Sequence, residues 1–202
     1  TTDNIQTTKS RFVVNFNKFQ NRVIEWLIER KNEDDNRYLQ KIRILNHPLN
    51  KAESTAKLDK FDLPKDYFDF IDVICYGDQG ECKGQLFTVE EEKGENINLL
   101  LEDEFSKPSF KFRESFYIIG EDYINLYKDD FEFSSGLLSY YRYPKQISLE
   151  NPDFPDSSLN DEELEFDDKL TNRIITLAAS GQSLNANDQK YQALKQEVLS
   201  KL

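Results

Sequence analysis

A chain of 202 residues with 15 Phe, 10 Tyr and 1 Trp can bury a sizeable core without metal or disulfide staples, which argues against wholesale disorder. Its formal net charge of -12 argues against a tight grip on a nucleic-acid backbone, because neutralising phosphates needs clustered Lys and Arg. The acidic residues come in runs such as Glu90-Glu91-Glu92 and Glu102-Asp103-Glu104; no apolar stretch approaches membrane-spanning length, and no secretory leader is visible.

Residues 1–8 are polar and expected to fray. From Ser10, Phe12, Phe16, Phe19, Val23 and Leu27 recur at steps of four, three, four and four, which predicts a helix to about Lys31. Tyr38, Leu39, Ile42 and Leu45 keep helical spacing, so a second helix is expected until His47-Pro48 stops it. The polar run "NKAESTAKLDKF", residues 50–61, reads as a loop with at most a short helix. Asp62 and Pro64 then open a turn, 65–68 forms one helical turn, and 70–76 is the first strand.

From there to Pro144 the pattern is β. "GQLFTVEEE" and "NINLLLEDEF" read as strands. "SFYIIGEDYINLYKDD" reads as a hairpin with arms 116–119 and 123–127 about Gly120-Glu121-Asp122. "GLLSYYRYPKQ" is the last strand, with Leu138, Tyr140 and Arg142 on one face and Leu137, Ser139, Tyr141 and Tyr143 on the other. A loop with Pro152 and Pro155 leads to a helix beginning near Asn160 or Asp161, whose buried stripe is Leu170, Ile174, Leu177 and Ala178, with Gly181 as its stop. A final helix from about Asn187 carries a narrow stripe of Tyr191, Leu194, Val198 and Leu202.

The expected fold class is α+β: a helical bundle with an inserted, mostly antiparallel β module of about five strands. Residues 9–61 supply the N-terminal helical part, 62–146 the β module, and 147–202 the C-terminal helical part that completes the bundle.

The residues point away from catalysis. His47 is the single histidine and sits beside Pro48, and no CxxC is present, so neither a transition-metal site nor a histidine triad is supported. The seven glycines build no phosphate loop. Carboxylates are abundant, and no pair is singled out for acid–base work. Asp156, Ser158, Asn160, Glu162 and Asp167 mimic calcium spacing loosely, but Asp161 stands where the sharp turn needs glycine, and helix capping explains them better. Cys75 and Cys82 flank "YGDQGE" and would face each other if the strands paired symmetrically about Asp78-Gln79; the reduced state is expected. Tyr140, Tyr141 and Tyr143 lack the basic groove of a base-stacking platform and are expected to fill a sheet core or an interface. The sequence therefore predicts no catalytic residue, no cofactor and no metal.

One resemblance extends this reading. "LPKDYFDFIDV", the hairpin "FYIIGEDYINLYKDD", "LLSYYRYPKQI" and "DFPDSSLNDEELEFDDKLTNRIITLAASGQ", in that order over residues 62–182, resemble the head-to-tail connector family of tailed phages. Its members carry an "LPxDY" opening, a "YxIxGxxIxLYP" hairpin and a "YxxxP" exit; "LYKDD" here departs from "LYP". The aromatic-, Lys- and Asn-rich composition would suit a ring protein of a crAss-like phage. The resemblance implies a non-enzymatic virion protein at the head–tail junction: copies of this chain, twelvefold in the usual case, form an adaptor ring below the portal and meet further ring or tail proteins. Double-stranded DNA passes through the lumen without specific binding, and no membrane is involved. Tyr191, Leu194, Val198 and Leu202 are then expected to bury against a neighbouring subunit or the portal, with packing in their own bundle as the alternative; Tyr141 and Tyr143 would edge an intersubunit contact. "DLPKDYFDFI" is also similar to the opening of a superfamily of acidic intracellular immunity modules, which would imply neutralisation of a basic toxin.

Overall fold

The computed structural model describes residues 2–30, 36–148, 165–180 and 189–200. Helix α1 (Thr2–Arg30) and the short α2 (Asn36–Leu39) lead into strands β1 (Arg43–Pro48), β2 (Asn50–Ser54), β3 (Leu58–Asp62), β4 (Tyr67–Gln79) and β5 (Cys82–Glu91). Helix α3 (Ile97–Glu102) precedes β6 (Glu114–Ile119), β7 (Tyr123–Tyr127) and β8 (Glu132–Arg142), and α4 (Asp168–Ser180) and α5 (Gln189–Ser200) follow. The chain divides into two compact units, one of Thr1–Ile42 with Tyr143–Leu202, the other of Arg43–Arg142.

In the helical unit α1 packs on α4 and α5. Phe16, Phe19, Val23 and Leu27 are buried as their spacing predicts, and so are Ile24 and Trp26, which widen the apolar arc beyond one stripe. Each such side chain contributes about 1.5–3 kcal/mol of burial free energy. Helix α1 reaches back to Thr2, so residues expected to fray continue its first turns. Gln20 and Asn17 on α1 hold the segment that leaves β8: the Gln20 amide donates to Lys145 O at 2.9 Å, and Asn17 exchanges two bonds with the Ile147 backbone. Helix α4 begins at Asp168, where the Asp167 carboxylate accepts the Leu170 amide at 2.9 Å as an N-cap. The expected start near Asn160 or Asp161, the calcium-like residues 156–162 and Gly181 lie outside the described residues. Leu170, Ile174, Leu177 and Ala178 are all buried, as the stripe predicts.

The second unit overturns the expected fold class. It is one sheet of eight strands in the order β1-β8-β4-β5-β6-β7-β3-β2, and it is mixed, because β5 and β6 run parallel. This unit is a curled half-barrel of eight strands, not a five-strand insert in a helical bundle. The curl has a simple cause. β1 and β2 lie at opposite ends of the strand order, yet only Leu49 separates them along the chain. A single residue cannot span a flat eight-strand sheet, since neighbouring strands lie about 4.8 Å apart. The two edges must approach, and Leu49 N donates to Gly136 O of β8 at 2.9 Å at that place.

Three expectations fail here for identifiable reasons. The second helix stops at Leu39 with a 3-10 turn, Gln40–Ile42, after it, and Arg43 and Ile44 instead pair with Tyr141 and Tyr140 of β8. A bulge at Asn46, whose φ is 54, breaks the alternation that would have marked a strand. Residues 50–61 form the β2–β3 hairpin rather than a loop; the inward positions of β3 are Asp59 and Phe61, so a buried charge hides the period of two. "NINLLLEDEF" supplies α3 rather than a strand: a parallel β5–β6 pair needs a crossover, and Ile97, Leu100 and Leu101 at helical spacing cover Phe116 and Tyr127. The 116–127 hairpin forms as expected, with Gly120 N donating to Tyr123 O at 2.8 Å.

Candidate functional site

Two side-chain constellations organise the β unit. The first joins the opening and closing motifs. The Tyr140 hydroxyl on β8 donates to Asp66 Oδ1 at 3.0 Å, just before β4. The Tyr67 ring lies 5.9 Å from the Tyr140 ring, and His47 on β1 meets Tyr140 edge-on at the same distance. β4 pairs antiparallel with β8 from Tyr67↔Arg142 onward, so "LPKDY" and "SYYRYP" are brought together by the sheet. Burial, helped by the bond to Asp66, pushes the Tyr140 phenol up to about 12, and burial beside Asp69 and Glu91 pushes Tyr67 to about 12 as well. Phenols held that high stay neutral near pH 7, so they act as hydrogen-bond donors and packing surfaces and not as bases.

The second constellation closes the curled sheet. Asp59, fully buried on β3, accepts Lys128 Nζ at 2.8 Å and Lys51 Nζ at 2.8 Å, with Ser54 Oγ at 2.5 Å. Lys128 also pairs with Glu132 and bonds Ser54 Oγ, and Lys51 on the edge strand β2 donates across to Phe133 O of β8 at 2.6 Å. Burial alone would raise the Asp59 carboxyl, but the bonds from Lys128, Lys51 and Ser54 outweigh it and hold it below the usual range. Burial alone would lower Lys128, and Asp59 and Glu132 reverse that and raise it. Both groups therefore stay charged. The polar string "NKAESTAKLDKF" offered one signal for this site: Lys51, Ser54 and Asp59 are polar at positions where a hairpin must turn something inward.

The expected interface residues are distributed unevenly. Tyr141 is half-buried on β8, its phenol raised by burial. Tyr143 follows the strand and is 46% exposed. Val198 is fully buried inside the helical unit, where α5 is tied by Lys195 to Glu29 of α1 and by Glu197 to Arg173 of α4. That side chain is covered by its own chain, the alternative given above for the stripe. The side chains of Tyr191 and Leu194, and Leu202 as a whole, lie outside the described residues.

The cysteines are corrected too. The turn centres on Gly80-Glu81, with Gly80 at φ 56, so Cys82 pairs with Gln79 and Cys75 with Phe87. Cys75 is buried, Cys82 exposed, and both are free. Among the described residues no group of three or more His, Cys, Asp or Glu side chains is placed to hold a metal ion, and no helix is long and apolar enough to cross a membrane.

No protein-family model and no curated protein matches the sequence.

Proposed function

We infer that this chain is a structural subunit of a tailed-phage head-to-tail connector, which assembles with copies of itself into a ring below a portal and borders the path of the DNA. The observation that carries the reading is the Tyr140–Asp66 hydrogen bond. The two motifs behind the resemblance lie 74 residues apart and meet as one packed unit at the end of the β4–β8 pair. Residues so joined serve the frame of a domain, which is the use a connector has for them. The charge agrees: a net -12 suits a wall along which phosphates must slide without sticking.

The test is to mix the purified chain with its portal protein and examine the product by negative-stain electron microscopy and light scattering. Rings stacked on the portal are expected. A monomer or dimer that ignores the portal overturns the reading, and tight capture of a basic toxin in the same state would assign the chain to the immunity modules instead.

A further inference from the structure

The crossover between the parallel strands β5 and β6 presents apolar side chains to water without any cover from the described residues. Phe105 is 96% exposed and Leu99 69%. The turn that carries Phe105 is built rather than loose. The Asp103 carboxylate accepts the Phe105 amide at 3.4 Å and the Ser106 hydroxyl at 2.6 Å, and Lys107 is ion-paired to Asp129 at 3.1 Å. A turn whose backbone is braced in this way has met part of the ordering cost that binding imposes.

Beside it is a cleft of about 330 Å³, lined by Leu100, Phe105 and Phe116 together with Glu90, Glu92 and Glu114. Sheet geometry puts the carboxylates there: Glu90 on β5 pairs with Phe116, Glu114 pairs with Thr88, and Glu92, the residue after β5, donates its backbone N–H to Tyr117 O at 2.9 Å. The Phe116 floor is rigid, stacked on Tyr127 at 4.9 Å. Among the described residues none of the three carboxylates has an ion pair or a side-chain hydrogen bond. Lys107, the cation in the lining, is committed to Asp129.

We propose that this cleft docks a basic segment of a partner protein, one Lys or Arg side chain entering between Glu90, Glu92 and Glu114 while its methylene stem and an apolar neighbour cover Leu100 and Phe105. The chemistry selects the occupant. Carboxylates without partners at an aromatic lip match a side chain that is a cation at its tip and hydrocarbon along its stem. A second copy of the chain brings the same net -12, and a nucleic acid brings phosphates, so both meet repulsion. The proposal does not depend on the ring.

The probe is a fluorescein-labelled peptide of about 15 residues, rich in lysine and arginine with interspersed leucine, titrated into the full chain at about 150 mM salt and followed by anisotropy. The triple variant Glu90→Gln/Glu92→Gln/Glu114→Gln is expected to weaken binding about tenfold or more, and Phe105→Ala about fivefold. A control with equal charge loss, Glu53→Gln/Glu81→Gln/Glu121→Gln, should change it less than about twofold. Equal weakening by both triple variants, an unchanged Phe105→Ala, or no binding by the unmodified chain overturns the proposal. So does self-association in sedimentation that Phe105→Ala abolishes, which would give the cleft to a second copy.

Discussion

Lys128 Nζ stands 2.8 Å from Asp59 Oδ1, and neither side chain is exposed to solvent. The pair lies where the curled sheet would otherwise gape, for β2 pairs with β3 and β1 with β8, and only Leu49 passes between them. Across this seam the backbone bond from Leu49 N to Gly136 O is joined by Lys51, which reaches from β2 to Phe133 O and to Asp59, itself paired with Lys128. A buried pair of this kind gains little over a well-packed apolar one, but losing one partner strands the other charge.

Lys128→Met is therefore expected to destabilise the β unit by about 3–5 kcal/mol, and Asp59→Leu by a similar amount. The double variant should lose clearly less than the sum of the two, because neither charge is left behind. Urea unfolding followed by near-ultraviolet circular dichroism of the tyrosines measures this. Additive losses would show that the pair is not coupled.

The same pair sets a pH window. Asp59 is held below its ordinary 3.8, so its contribution is present above that value and is lost as pH falls through the lowered one. Lys128 is held above its ordinary 10.5, so its contribution is complete below that value and is lost as pH rises through the raised one. The difference in stability between the native chain and Lys128→Met should be flat across neutral pH and shrink at both extremes. A difference that already fades near pH 6 would contradict the assignment.

Tyr140→Phe removes one hydroxyl and leaves Asp66 without its donor; a bond to a charged acceptor of this kind contributes about 1.5–3 kcal/mol. Tyr67, Tyr117 and Tyr140 are each pushed up to about 12 by burial first, so their neutral forms favour the fold up to the ordinary phenol value of 10, and that support is lost as pH rises toward 12. Tyr127 and Tyr141 are raised by burial as well, so alkaline titration read by phenolate absorbance should show a group of late phenols that has one member fewer in Tyr140→Phe than in the native chain.

Thiol chemistry should be split between the two cysteines. Cys82 is exposed, whereas Cys75 is buried and pushed up to about 12 by burial and by Asp72. One thiol should react at once with an aromatic disulfide reagent, and the second only on unfolding. Two fast thiols, or none, would contradict the register that sets Cys75 against Phe87.

Gly77 lies under the Phe87 ring, where an added Cβ would meet Cε2 at 2.6 Å. Phe87 is itself stacked on Phe131 at 4.6 Å and edge-on to Phe133 at 5.5 Å, so it has little room to yield. Gly77→Ala should cost about 1–3 kcal/mol by overpacking, measured by the same urea transitions.

Much of the helical unit was legible because its stripes are apolar and its period is 3.6: Phe16, Phe19, Val23 and Leu27 on α1, and Leu170, Ile174 and Leu177 on α4. The 116–127 hairpin was legible by the period of two instead, with Ile124 and Leu126 alternating inward along β7 after the turn at Gly120. β1, β2 and β3 were not, since their signals are a bulge at Asn46 and an inward Asp59. Nor was α3, whose Leu-rich run fits either state until the parallel β5–β6 pair demands a crossover. The motif junction was half legible: the aromatic residues stood out, while Asp66 as the acceptor for Tyr140 needed the β4–β8 register.

By itself the sequence determined an acidic chain with an aromatic core, two amphipathic helices at known faces and one hairpin, because local periodicity and turn chemistry depend on near neighbours. Only the tertiary structure decided that eight strands curl into one mixed sheet, that Lys128 belongs inward, and that Glu90, Glu92 and Glu114 border one cleft. Each of these depends on partners distant in the chain. A buried charge is tolerable only once its counter-charge has been brought to it, and no local pattern records where that counter-charge lies.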